Sequence, residues 1–281
     1  MFSTPRPIRT AFGWLERIAP EVGARWAERI WFTLPPRRAD EPADGHRAGA
    51  PVTVSLGPTT VVGESWGDGP TVYLVHGWAG QRRQLTAFVA PLVGLGHRVV
   101  AFDMPSHGAS APGRFGPRSS TIVEFTDTLT RVVTQHGPAR AIVAHSMGAT
   151  ATAGALCDGL HADRVVLVAP MANPLWQLRE FAKVLGLGER TVRRLIARVE
   201  RRVGVPMRHF DVPELGRAVA MPPTLVVHDR GDASTPVSDG AAIAAAWPGA
   251  RLRVTSGLGH RRILADPDVV TEVVDFITAG R

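Results

Sequence analysis

Between Ala141 and Leu156 the chain reads AIVAHSMGATATAGAL. An apolar, β-branched run stops at His145, Ser146, Met147 and Gly148, and a small-residue run of helical character follows with no loop between them. A chain that passes from strand to helix without a loop must bend sharply at the serine, in a strained backbone conformation. The residues flanking the bend must be small because strand and helix cross closely there, and Ala144 and Gly148 meet that need. The serine hydroxyl is thereby held at the carboxyl end of a strand, clear of both elements.

The rest of the chain supplies strands to accompany that one. Val52 to Leu56 and Thr59 to Glu64, parted by Gly57 and Pro58, predict an antiparallel hairpin. Thr71 to Val75, Arg98 to Phe102, Ala141 to Ala144, Val165 to Val168 and Thr224 to Val227 are short, nearly continuous apolar runs of the kind buried on both faces of a parallel sheet. Arg251 to Val254 adds a further strand. Helical spacing falls between them over Gln84 to Leu95, Ser120 to Gln135 and Met147 to Leu160, and Val269 to Ile277 closes the chain as a helix. Strand and helix in alternation predict a doubly wound, mostly parallel α/β sheet.

The 281 residues, 44% of them hydrophobic, suffice for one sizeable domain of this kind with a filled core. No apolar run approaches the ~20 residues that span a bilayer, and no uninterrupted signal-peptide core opens the chain, so a cytoplasmic protein is expected. Cys157 is the single cysteine, which excludes a disulfide within the chain and reads as a packing residue. A net charge of +7 would invite a nucleic-acid partner. Lys183 is the only lysine, however, and the arginines are spread along the chain with no compact run of five. Nucleic acid is therefore not expected as a partner.

A serine on such a bend becomes a nucleophile only with a base to take its proton and a third group to orient the base. His260, in Gly257-Leu258-Gly259-His260 directly after the last strand, is the candidate base, because two glycines let the loop fold over the sheet edge. Asp232, at the exit of the preceding strand, is the candidate acid, with Asp229 its rival. Open α/β sheets build their sites at these strand ends. His76, His107 and His145 read as loop or turn residues and Asp103 as a loop anchor. No HExxH, paired CxxC or P-loop pattern occurs, so neither metal nor cofactor is expected.

With these residues in view, the sequence resembles the α/β-hydrolase fold family from about Val52 to the C-terminus, in which the order serine, acid, histidine is the rule. It carries His76-Gly77 after the first parallel strand and Asp103-Met104-Pro105-Ser106-His107-Gly108-Ala109-Ser110 after the second, similar to that family's DxPGHGxS loop. Ser106, Ala144 and Asp229 each stand where the family usually has glycine. The resemblance implies a serine hydrolase of the carboxylesterase or lipase kind, acting on a small-molecule ester or related acyl substrate. It also implies an oxyanion hole made by the backbone amides of Trp78 and Met147, with Trp78 as a further pocket wall. Thioester, C–C bond and perhydrolase chemistry would use the same residues. Haloalkane dehalogenases and epoxide hydrolases need a carboxylate in place of the serine.

Two stretches lie outside this pattern. Residues 171–223 interrupt the core, 51–170 and 224–281, with helical spacing over Trp176 to Leu185 and Glu189 to Val203. The resemblance implies a lid over the serine. Its Trp176, Phe181, Met207 and Phe210 are then candidate substrate contacts, or else core packing between lid helices. Its ten Lys and Arg against five Asp and Glu either attract an anionic substrate or form a solvated helix face.

Residues 1–50 comprise two helical stretches broken at Pro20, carrying Trp14, Trp26 and Trp31, and a Pro-rich linker over Pro35 to Pro51. The helices read as packing on the body, since Glu16, Glu21 and Glu28 mix with arginines. The other reading is a weak membrane-surface contact, including that of a non-catalytic binding protein. Neither the oligomeric state nor the acyl group follows from the sequence.

Overall fold

The apolar runs do become the strands of one sheet. A computed structural model describes residues 4–36 and 48–279, so most of the expected linker lies outside the described residues; its last two residues, Ala50 and Pro51, already begin a strand. In chain order the elements are α1 (Arg6–Ile18), α2 (Pro20–Phe32), β1 (Ala50–Leu56), β2 (Thr59–Trp66), β3 (Thr71–Val75), α3 (Val89–Gly94), β4 (Arg98–Phe102) and α4 (Ile122–His136). There follow β5 (Ala139–His145), α5 (Met147–Cys157), β6 (Val165–Val168), α6 (Pro174–Leu185), α7 (Glu189–Val203) and α8 (Val212–Ala218). The chain ends with β7 (Thr224–Asp229), α9 (Val237–Ala246), β8 (Arg251–Thr255), α10 (Gly259–Arg262) and α11 (Pro267–Thr278).

The eight strands take the order β1-β2-β4-β3-β5-β6-β7-β8. β1 with β2 and β2 with β4 run antiparallel, and every other neighbouring pair is parallel. Period-two geometry sends Tyr73 and Val75 into a core with Phe125, Leu129 and Trp247, and Val72 and Leu74 into a second core with Leu85, Phe88 and Ile277. All five residues of β3 are consequently buried. This is the doubly wound α/β architecture that the alternation of strand and helix implied.

Two compact units divide the chain: residues 1–33 with 173–211, and residues 34–172 with 212–281. The N-terminal helices and the insertion helices thus share one unit. Its core gathers Phe12, Ala24, Ala27 and Phe32 with Leu178, Leu195, Val199 and Met207. Glu16 of α1 accepts from the backbone N–H groups of Arg190 (3.0 Å) and Thr191 (3.0 Å) and from the Thr191 hydroxyl (2.6 Å), placing a carboxylate on the N-terminus of α7. Burial acts to raise the Glu16 pKa, but these bonds outweigh it and lower it.

Within the interval expected as one insertion, residues 212–223 group with the sheet. The reason is local: the Trp247 indole N–H donates to the Val212 carbonyl at 2.8 Å, and α8 lies so close to the ring that a Cβ on Gly216 would come within 1.9 Å of it. Among the described residues no helix is long and apolar enough to cross a membrane.

Candidate active site

All the parts of this site belong to the sheet unit. β5 runs directly into α5 at Ser146, whose φ of 54° and ψ of −123° are strained for a residue with a side chain. Its N–H donates to the Val168 carbonyl at 3.0 Å, and its carbonyl accepts from Ala149 at 3.0 Å, so the bend is tied on both sides. A Cβ on Gly148 would lie 2.5 Å from the His76 carbonyl, and one on Gly77 would lie 2.7 Å from the Ser146 Cβ. Only glycine fits either place. Ala144 pairs with Val75 and Leu167 as an ordinary strand residue, and a methyl group there disturbs nothing.

His260 approaches from the turn after β8. Its Nε2 lies 3.1 Å from the Ser146 Oγ, in position to accept the hydroxyl proton, and its Nδ1–H donates to Asp232 Oδ2 at 2.7 Å. The Asp232 side chain is fully buried. Its Oδ1 accepts from the N–H groups of Ser234 (2.7 Å) and Thr235 (3.0 Å). Oδ2 also faces the Thr235 hydroxyl at 3.1 Å and His228 Nε2 at 3.5 Å. Burial raises its pKa, but hydrogen bonds from His228, His260 and Thr235 prevail and hold the carboxyl well below the ordinary range.

Asp229, the rival acid, is engaged elsewhere. Its Oδ1 accepts from Gly231 at 2.8 Å, and its Oδ2 accepts from the Thr255 hydroxyl at 2.8 Å and Leu258 N–H at 3.0 Å. Burial opposes ionisation, yet these donors and the Gly259 amide bring its pKa down to about 2. It clasps the loop that carries His260, a use that explains a carboxylate where glycine is usual.

Three more side chains enter the site that the sequence did not single out for it. His228 is fully buried beside Asp232, and its one Nε2–H is shared between the Thr235 carbonyl at 3.1 Å and Asp232 Oδ2 at 3.5 Å. Thr235 shares its one hydroxyl proton between Asp232 and the Ala169 carbonyl, 3.2 Å away. The His145 Nε2–H donates to the backbone carbonyl of His260 at 2.9 Å, with the two rings 4.6 Å apart. Burial, reinforced by the neighbouring His260, lowers the His145 pKa to about 3, so the ring stays neutral and keeps donating. The His145–His260 and Thr235–Ala169 contacts depend on the sheet order, whereas those among His228, Asp232 and Thr235 are local to one loop and carry no recognisable spacing pattern.

The loops named in the sequence surround this centre. Gly77 to Gly80 form a turn closed by Gly80 N–H to Gly77 carbonyl at 3.0 Å, and Trp78 occupies its second position, whose N–H takes no part in that bond. Met147 is the first residue of α5, where backbone N–H groups have no intrahelical acceptor. His76 and His107 both buttress backbone: His76 Nε2 accepts from Met104 at 2.9 Å and His107 Nε2 from Ala79 at 3.1 Å. Asp103 accepts from Arg82 and Ala109 amides at 2.7 and 2.9 Å and pairs with the Arg82 guanidinium. Ser106 has a φ of 66°, which is why glycine is usual there. Its hydroxyl donates to Gly116 at 2.8 Å and accepts from Gly113 at 3.0 Å, bonds that offset the strain.

The expected substrate contacts of the insertion all lie in the helical unit. Met207 is part of that unit's core, and Phe181 packs edge-on against Trp31 with ring centroids 5.1 Å apart. Phe210 is buried and Trp176 is exposed, lining a cavity of about 340 Å³ with Arg179, Lys183 and Leu187. Among the described residues no group of three or more His, Cys, Asp and Glu side chains could hold a metal ion.

A sequence model described as the Alpha/beta hydrolase family matches residues 72–273, the span that holds Trp78, Ser146, Asp232 and His260. Solved structures of similar fold include a bromoperoxidase from Bacillus anthracis, 20% identical over 81% of this chain and 99% of that one, with a TM-score of 0.61. A thermophilic esterase from Thermogutta terrifontis is 19% identical over 80% and 96% of the two chains, with a TM-score of 0.59. A meta-cleavage product hydrolase from Pseudomonas fluorescens IP01 is 16% identical over 83% and 99%, with a TM-score of 0.62. At these identities the likeness is one of fold. No curated protein matches the chain.

Proposed function

We propose, given that this chain belongs to the alpha/beta hydrolase family, that it hydrolyses a carboxylic ester or related small acyl substrate through a covalent acyl-enzyme on Ser146. One observation carries this reading: a continuous relay from the Ser146 hydroxyl through both ring nitrogens of His260 to a buried, ionised Asp232.

The chemistry follows from that relay. His260 Nε2 takes the Ser146 proton as Oγ attacks the substrate carbonyl, and Asp232 stabilises the imidazolium and fixes the tautomer. The carbonyl oxygen becomes an oxyanion, for which the Trp78 and Met147 amides are the proposed donors; such donors are each worth about 10²–10³ in rate. His260 then protonates the leaving alkoxide. Water, deprotonated by His260, attacks the acyl carbonyl, and Ser146 leaves as the free hydroxyl with the acid as product. Thioester hydrolysis, C–C bond hydrolysis and perhydrolysis would draw on the same groups and are the alternatives within this reading.

The test is active-site labelling with a fluorophosphonate. Wild-type protein should be labelled, and Ser146→Ala should not. An unlabelled wild-type protein would instead favour a non-catalytic binding role. Turnover of p-nitrophenyl esters of graded chain length beside acyl thioesters then selects the substrate class.

A further inference from the structure

The helical unit has an outer face that its own core does not explain. Glu16 and Glu28, whose mixture with arginines spoke for helices packed on the body, are turned inward. Glu16 caps α7, and Glu28 pairs with Arg198 at 2.6 Å. Glu21 is exposed and shared by Arg198 (2.8 Å), Arg25 (3.6 Å) and Arg194 (3.8 Å), so arginine outnumbers it as the charge on the outer face of α1 and α2. Arg17 of α1 and Arg25 and Arg29 of α2 are exposed.

Beside them stand large apolar side chains. Trp14 is 60% exposed and Ile18, one turn on, is 75% exposed; across the Ala19–Pro20 break, Val22 is 52% and Trp26 37% exposed. Half of the exposed large hydrophobic residues of the described chain thus occur within thirteen positions. Scattered single residues of this kind are ordinary, but a cluster astride one helical corner is not.

We propose that this corner docks on the surface of a bilayer containing anionic phospholipid. Charge complementarity selects that occupant. Positions 1–33 and 173–211 together hold 14 Lys and Arg against seven Asp and Glu, so this one unit carries the whole net charge of +7. A second copy of the chain would bring the same positive charge to the same face and be repelled. Nucleic acid would satisfy the arginines but give Ile18 and Val22 nothing to bury against. A lipid interface satisfies both. The Trp rings and aliphatic side chains enter the headgroup boundary, and the arginines keep their guanidinium groups at the phosphates. Both helices are 13 residues long, suited to lying in the interface rather than crossing it.

Co-sedimentation of the full chain with vesicles tests this independently of any hydrolase activity. The protein should pellet with phosphatidylcholine vesicles containing about one-third phosphatidylglycerol, and far less with phosphatidylcholine alone. Trp14→Ser with Ile18→Ser should weaken binding about tenfold or more. Arg17→Gln with Arg25→Gln should weaken it about thirtyfold, at roughly one kcal/mol per arginine near an anionic surface. Leu95→Ser, at an exposed apolar residue of the sheet unit, should leave it within about twofold. Circular dichroism confirms that each variant is folded, since all the substituted positions are solvent-exposed.

Failure of the wild-type protein to pellet with anionic vesicles overturns the proposal, as does equal pelleting with both lipid compositions. So does a dimer in solution that Trp14→Ser with Ile18→Ser dissociates, which would assign the face to a second copy. Tight binding to duplex DNA that the arginine pair abolishes and the apolar pair leaves unchanged would assign it to nucleic acid instead.

Discussion

Asp229 and Asp232 stand three residues apart at the end of one strand of the sheet unit, and every oxygen of both has named donors at 2.7 to 3.1 Å. In the helical unit, Glu21 and Glu28 meet Arg194, Arg198 and Arg202 at 2.6 to 3.8 Å, with several arginines sharing each carboxylate. The first arrangement fixes positions, because each oxygen has one geometry in which all its donors are satisfied. The second holds two helices together through partners that can replace one another. Substitution should therefore be severe and specific at the strand end, and mild among the helices.

Asp232→Asn should show the largest effect. The amide cannot stabilise imidazolium and presents a donor to His260 Nδ1–H, so turnover of any acyl substrate should fall by about 10³–10⁴. Asp229→Asn sharpens the contrast within three residues. Its amide nitrogen would face the donors of either Gly231 or Leu258 and Thr255, leaving a buried group unpaired at a cost of about 2 kcal/mol in unfolding free energy. Turnover should fall only about tenfold, through a looser His260 loop. Steady-state kinetics beside urea unfolding separates the two; an equal loss of turnover in both variants would show that the acid has been misassigned.

Acid should affect the sheet unit through His145. An unfolded His145 binds a proton near 6.5 and the folded one only near 3, with burial the main cause, so between those values the unfolded chain holds more protons. The contribution to stability is complete above about pH 6.5 and is lost as pH falls through that window. His76, also lowered by burial, acts in the same direction. Asp229, held at about 2, adds a loss only below its ordinary 3.8. His145→Gln can still donate to the His260 carbonyl but cannot titrate. Relative to wild type it should gain about 2 kcal/mol on going from pH 7 to pH 5, read from urea midpoints at the two pH values.

These contrasts also mark how far the residues alone could lead. The strands were legible because burial on both faces leaves an unbroken apolar run, as over Thr71–Val75. The Ser146 and Asp232 positions were legible because each follows such a strand, and His260 because it stands in a Gly257-Leu258-Gly259 turn after the last strand, although that strand is largely exposed. α9 was not: its sequence VSDGAAIAAA has no apolar period, and it forms against β7 with Gly240 crowded on the His228 ring, where a Cβ would lie 2.7 Å from Nδ1. The role of His145 was equally hidden, since its partner His260 comes from another loop, and those of His228 and Thr235 were hidden because a loop's sequence does not say which of its side chains turn onto Asp232. So was the pairing of the N-terminal and insertion helices, because spacing within a helix says which face is apolar but not which helix it meets. The linker expectation falls largely on residues outside those described.

The smallest effect expected belongs to the helical unit and tests its redundancy. Glu16→Gln keeps an oxygen that can accept from Thr191 but removes the negative charge from the first turn of α7. The carboxylate pair now spans two backbone N–H groups and a hydroxyl; a single amide oxygen reaches fewer, and its NH₂ group points a donor at another donor. A charge at a helix N-terminus contributes about 0.5–1 kcal/mol, so the amides of Arg190 and Thr191 should exchange with solvent about two- to fivefold faster. Amides of α2 opposite Arg198 should be unchanged, because Glu21 and Glu28 still hold that arginine. A global loss of protection across α1, α2 and α7 would mean that the helical unit, like the strand end, depends on single fixed contacts, and the contrast between the two units would fall.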